Sequence, residues 1–247
     1  MPDRRQHRGP HPEDAALFGT PARVHTLRRA AGDLAWLLGR QYAPTAALTL
    51  VGNRYQLHTR HRQALARAVA APVVARARRQ RQVPATALAG QTVAVDGFNQ
   101  LITVEVALAG GLLLRGHDGA LRDLASVHGT YRTMTDTPRA LEALGTVLAA
   151  LHPQAVQIWL DAPVSNAGRL AQQMRALAAT HAWPWQVALV PQVDTVLRQS
   201  SAIVTTSDSG ILDAPVCWYD LAAAVVAQDV PMAWCLDLNV PPSPVEA

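Results

Sequence analysis

The sequence predicts an α/β protein in which a mainly parallel sheet is flanked by helices and preceded by a small all-α domain. Three observations predict it. Beyond Gln91, short and continuously apolar runs rich in Val and Ile alternate with segments of helical spacing, as a parallel sheet covered on both faces requires. Before Gln91, apolar residues recur at helical spacing only. Charge divides at the same place. Residues 1–90 hold fifteen Arg against four acids, a net +11, and residues 91–247 hold seven Arg against fourteen acids, a net −7. A split of that size implies two units with different roles, the basic one facing a polyanion.

Each element follows in turn. The first ~20 residues are rich in Pro, His and Arg without a period, and residues 1–21 are expected to form a flexible tail. Val24, Leu27, Ala31, Leu34 and Leu38 predict an amphipathic helix over 22–40. Ala43-Pro44-Thr45 opens a second helix, with Pro in its first turn and Ala46, Leu50 and Val51 facing inward. A third begins at Thr59 and carries Leu65 and Val69 on one face and Arg60, Arg62 and Arg67 elsewhere. These helices make a domain over 22–82, with Arg76 to Pro84 as a polar linker into an α/β domain over 91–240. In that domain 92–95, 156–160, 186–190, 202–206 and 232–236 are predicted strands. Helices are predicted over 99–109, around Leu141 to Leu151, around Leu170 to Leu177 and over 221–227. Residues 112–115 and 119–121 form an interposed hairpin around His117-Asp118-Gly119.

Composition excludes several classes. With 49% hydrophobic and 16% charged residues the chain can bury a core. Its longest apolar stretches fall short of the ~20 residues that span a bilayer, so no membrane association is expected. The N-terminus has no apolar segment of the secretory kind, and Cys217 and Cys235 are too few and too far apart for a disulfide framework, so a cytoplasmic location is expected. Without any Lys there is no P-loop, and no HExxH spacing points to zinc.

The chemistry is positional. Acids stand at the carboxyl ends of three predicted strands, Asp96 in TVAVD, Asp161 in VQIWLD and Asp208 in VTTSD. Asp194 opens the short helical stretch after a fourth strand. In an open parallel sheet those ends share one edge, beyond which ligands bind. Crowded carboxylates raise one another's pKa unless a cation neutralises them, and hard oxygen donors suit Mg²⁺ or Mn²⁺. The alternative is that each Asp is a helix N-cap. Glu105 lies near the middle of the apolar face of its helix, so it needs protonation or a cationic partner: either a further metal-site acid or the mate of a buried Arg.

Asp96-Gly97-Phe98-Asn99 followed by Leu160-Asp161, Val193-Asp194 and Thr206-Ser207-Asp208-Ser209 resembles the PIN-like, Rossmann-like NYN-type nuclease domains over about residues 91–215. The whole chain, with VGNRY at Val51 to Tyr55 ahead of VDGFN, is similar to an uncharacterised prokaryotic family labelled domain of unknown function four-three-four. The nuclease resemblance implies that Asp96, Asp161, Asp194 and Asp208 are the catalytic acids and hold Mg²⁺ or Mn²⁺. Asn99 would orient Asp96 or touch the scissile phosphate, and Ser207 and Ser209 would position Asp208 or contact phosphate. Asp213 is a weaker additional acid. The stretch Leu112 to Arg132 is longer than the family's pattern needs; it would cover the site and bring Arg122, His128 and Arg132 to phosphates, or else form a solvated hairpin protecting a sheet edge.

The helix pair over 45–56 and 59–70 is compatible with a helix-turn-helix, so Arg54, Arg60, Arg62 and Arg67 are expected nucleic-acid contacts. Docking of the basic half on the acidic half is the alternative. The leading expectation is a divalent-metal-dependent nuclease with RNA as the favoured partner. An inactive PIN-like nucleic-acid-binding or regulatory protein and a small-molecule phosphohydrolase are the alternatives.

Overall fold

A computed structural model of the chain describes residues 6–125 and 131–238. The acidic half is built on a four-stranded, wholly parallel sheet in the order β5-β4-β1-β6. Its strands are β1 (Thr92–Asp96), β4 (Ala155–Asp161), β5 (Trp185–Val190) and β6 (Ile203–Thr205). The run TVAVD occupies a central position because four of its five residues are buried, which suits a strand paired on both sides. Helices α6 (Gly97–Leu108), α7 (Thr137–Ala150), α8 (Ala167–His181) and α11 (Leu221–Asp229) cover the sheet, and their apolar faces form one core with Val93, Val95, Val156 and Ile158. From β1 the chain moves outward through β4 to β5 and then returns to place β6 on the other side of β1. The order therefore reverses between β1 and β6, the position where open α/β sheets bind ligands.

The predicted hairpin and last strand are not part of that sheet. β2 (Leu113–Arg115), β3 (Leu121–Asp123) and β7 (Cys235–Asp237) form a second, three-stranded sheet in the order β3-β2-β7. Leu112, Leu114, Leu236 and Leu238 close the core of the basic half from below. Met232, expected at the start of the last strand, is 92% exposed.

The basic half consists of α1 (Asp14–Phe18), α2 (Pro21–Gly39), α3 (Pro44–Arg54), α4 (Thr59–Ala68) and α5 (Pro72–Gln80). Helix α2 starts where Thr20 accepts the Arg23 backbone N–H and Pro21 fills the first turn. Three expectations need correction here. Leu50 and Ala46 face solvent and Ala47 and Val51 face inward, because Ala47 and Val51, one turn apart, form the face of α3 that joins the core built with α2 and α4. The polar linker over 76–84 is largely helix α5, with Arg78 buried. Residues 6–21 are not a free tail: Phe18 is buried beside His61, and Arg8 reaches Glu105. Among the described residues, no helix is long and apolar enough to cross a membrane.

Candidate active site at the carboxyl edge of the parallel sheet

Asp96 ends β1 and caps α6. Its Oδ1 accepts the Asn99 backbone N–H at 3.3 Å and its Oδ2 accepts the Thr206 hydroxyl at 2.8 Å. The register explains the second contact, because Val95 pairs with Thr205 and the next residues on each strand meet beyond the ladder. The Thr206 hydroxyl in turn accepts the Asp208 N–H at 3.0 Å. Gly97 is required beside it: a Cβ there would lie 2.7 Å from Leu160 Cδ2 and 3.0 Å from the Trp159 carbonyl. Burial pushes the Asp96 carboxyl up to about 7; the two hydrogen bonds oppose this, and the carboxylates of Asp208 and Asp161 add to it.

The other acids are less enclosed. Asp161 ends β4, and its Oδ1 accepts the Val193 N–H at 3.1 Å, which ties the first residue of α9 (Val193–Arg198) to the strand end. Asp208 caps α10 (Ser209–Leu212), its Oδ1 accepting from Gly210 at 2.7 Å and Ile211 at 3.2 Å. Asp194 is exposed in the first turn of α9, and its pKa is raised by partial burial and then by Asp208 and Asp161, with Arg198 opposing. Two of the four acids, Asp96 and Asp208, are thus helix N-caps, as the alternative held. The backbone contacts use one oxygen each of Asp161 and Asp208 and leave Oδ2 of both without a hydrogen bond among the described residues. None of the four forms an ion pair there. The edge therefore carries negative charge with no ion pair to compensate it among the described residues, and Arg198 offsets it in part at Asp194.

The donors suit a hard divalent ion in kind. No group of three or more His, Cys, Asp or Glu among the described residues is spaced to enclose one. A Mg²⁺ site does not need such a cage, because this ion keeps several waters and uses one or two carboxylates together with substrate phosphates.

The remaining candidates divide. Asn99 Oδ1 accepts the Ser207 N–H at 2.8 Å and the Ser207 hydroxyl at 3.1 Å. It is the Asn99 backbone that orients Asp96, while its side chain clamps Ser207, which is buried and points away from solvent. Ser209 is exposed. Arg122, expected to meet phosphate, is 2% exposed. Its Nε donates to the Ser207 carbonyl at 2.8 Å, and its two terminal nitrogens grip Asp118 at 2.7 and 2.6 Å. Arg78 completes the cluster, donating to Asp118 and to Asp213, each at 2.8 Å. Asp213 is accordingly an ion-pair partner and not a site acid. Burial pushes Asp118 up, but the hydrogen bonds and charges of Arg122 and then Arg78 prevail and hold it at about 2. This cluster braces both ends of the segment that carries Asp208, from beneath.

Glu105 takes the second of its two expected forms. It is fully buried, Oε2 accepting from Arg8 Nε at 2.6 Å and Oε1 from the Tyr131 hydroxyl at 2.6 Å and from the Thr137 hydroxyl. Arg132 is exposed, its carbonyl accepting from Arg8 at 3.5 Å, and His128 lies outside the described residues. The four Arg expected on nucleic acid are turned inward to differing degrees. Arg60 is paired with Asp14, and Arg62 bonds the Leu57 and Thr49 carbonyls and Asn53. Arg67 donates to the Asp123 carbonyl at 3.3 Å yet stays exposed, and Arg54 lies loosely against Asp33 at 3.6 Å. Thr206, Asp118, Arg78, Arg8 and Tyr131 had not been singled out from the sequence. Only the Asp-Gly turn at 118–119 offered a local signal.

Fold and site together define an α/β protein with an acidic edge at the point of strand reversal, braced by an Arg-rich helical region. The chain belongs to the family described as Domain of unknown function (DUF5616), whose model matches residues 85–224. Residues 26–81 match a second family, Protein of unknown function (DUF434). The chain is also similar to Uncharacterized protein MJ0935 of Methanocaldococcus jannaschii, 29% identical over 203 residues that make up 81% of this chain and 97% of the relative. No solved structure gives a significant match.

Proposed function

We propose that the acidic edge is the reactive centre of a divalent-metal-dependent nuclease of PIN-like type that hydrolyses phosphodiester bonds, with RNA as the favoured substrate. One observation carries the reading: four carboxylates, two of which (Asp96 and Asp194) feel the charge of the other two, stand at the carboxyl edge of the parallel sheet without an ion-pair partner among the described residues. Negative charge left uncompensated in this way favours a cation, and a cation there favours a phosphate.

In this reading Asp161 and Asp208 hold Mg²⁺ or Mn²⁺ through the oxygens that their backbone contacts leave open, with Asp96 behind them. The ion supplies neutralisation of the scissile phosphate and acidifies a water. Asp194, the most exposed of the four, accepts the proton of the attacking water. Asp96, held by Thr206 and Asn99, fixes the spacing between β1 and the Asp208 loop.

The test is cleavage of labelled single-stranded and structured RNA in Mg²⁺ and in Mn²⁺. Asp208→Asn and Asp96→Asn are expected to lower the rate on the order of 10²-fold or more while the circular dichroism spectrum is retained. Cleavage unchanged in both variants removes the assigned site. Binding without cleavage in either metal favours an inactive, nucleic-acid-binding protein, the reading that the two helix caps support. Turnover of nucleotides but not polymers makes the edge a small-molecule phosphohydrolase.

A further inference from the structure

A cleft of about 290 Å³ opens between the helical region and α10. Its apolar wall comes from Leu38, Val69, Ala70 and Val74, and its polar groups are Tyr42, Arg67, Arg78 and Ser209. Ser209 directly follows Asp208, so this wall of the cleft adjoins the acidic edge in the chain. Tyr42 is 52% exposed and lines the cleft. Arg67 binds the Asp123 carbonyl through Nε and its charge also acts on the buried Asp123 carboxylate, while its side chain stays exposed beside the apolar wall. Arg78 is saturated by Asp118 and Asp213 and belongs to the wall, not to a ligand.

We propose that this cleft seats one nucleotide of a single-stranded nucleic acid, the unit adjoining the phosphodiester at the acidic edge, with its base against Tyr42 and its phosphate on Arg67. The proposal rests on the nuclease reading for the edge and adds where the strand leaves it. Size decides the occupant: the volume lies at the lower end of small-molecule sites, enough for a base and its sugar. A helix ~10 Å across or a duplex does not fit. Charge agrees, because the N-terminal ends of α3, at Pro44, and of α5, at its N-cap Ala71, line the cleft without a side-chain cap, which adds partial positive charge to that of Arg67. Single strands also allow the π-face contact that an exposed tyrosine offers to any base.

The experiment is fluorescence anisotropy of a labelled 12-nucleotide RNA with the full chain, read in chelator so that binding is scored apart from cleavage. Tyr42→Ala is expected to weaken binding by about tenfold, with Tyr42→Phe restoring it. Arg67→Ala is expected to lower the slope of log affinity against log salt by about 1, more than Arg169→Ala on α8 does. Ala66→Trp, which fills the cleft from an exposed helix position, is expected to abolish the Tyr42 effect. RNA binding that ignores Tyr42, Arg67 and Ala66→Trp overturns the proposal, as does no binding of single strands or equal affinity for a free nucleoside monophosphate. If the three variants behave as stated but the unaltered chain does not cleave RNA in Mg²⁺ or Mn²⁺, the cleft stands and the nuclease reading of the edge falls.

Discussion

In the helical region, Arg60 is locked to Asp14, Arg62 staples the turn between α3 and α4, and Arg78 is buried against Asp118 and Asp213. At the carboxyl edge of the parallel sheet, Asp96, Asp161, Asp194 and Asp208 lie together without an Arg between them, although seven Arg share their half of the chain. The basic half has the larger net charge and uses much of it internally, while the acidic half leaves its charge open in one place. Net charge of a segment is therefore a poor guide to where a charged partner binds. Charge without an internal counterion is a better one, since that charge still lacks a favourable interaction.

The comparison breaks first at Asp118. Asp118→Ala leaves Arg122 buried without a carboxylate partner and Arg78 with Asp213 alone, and is expected to cost about 3–5 kcal/mol in urea unfolding. A loss below 1 kcal/mol would mean that the cluster does not hold the two halves together. Asp96 gives the opposite sign. Its folded pKa of about 7 lies above the unfolded value, so the native state binds the extra proton and stability falls as pH rises from about 4 to about 7. In chelator at pH 8, Asp96→Asn is expected to be more stable than the unaltered chain by up to about 4 kcal/mol, with the gap closing toward pH 4. A melting temperature that does not rise in the variant at pH 8 contradicts an uncompensated edge.

Smaller effects sharpen the picture. With its pKa held at about 2, Asp118 contributes about 2 kcal/mol of stability above pH 4 that is lost as pH falls from about 4 to about 2. Asp118→Asn should flatten that part of the stability profile. Smallest is Arg54→Ala, which removes an exposed, loose pair with Asp33 and is expected to change stability by about 0.5 kcal/mol or less. Equal costs for Arg54 and Asp118 would erase the distinction between outer and inner Arg.

Legibility differed by element. Continuous β-branched runs are reliable markers of buried parallel strands, so β1, β4, β5 and β6 and the acids at their ends were readable one by one. The Asp-Gly-Phe-Asn motif was readable as a unit, since the cap at Asp96 and the close approach at Gly97 are local demands. The second sheet was not, because β2 pairs with β7 about 120 residues away and neither short strand announces its partner. The role of Arg8 was hidden for the same reason: one of several Arg in a stretch without a period looks mobile until Glu105, 97 positions on, is seen to need it.

By itself the sequence determined the fold class, the division of charge and the placement of three acids after strands and a fourth at the start of a helix, because periodicity and capping act within a few residues of chain. Tertiary structure alone decided which charges are neutralised. Whether an Arg binds a ligand or an internal carboxylate depends on which groups it meets after folding, and here that choice turned Arg122, Arg78 and Arg60 inward while leaving the acidic edge open.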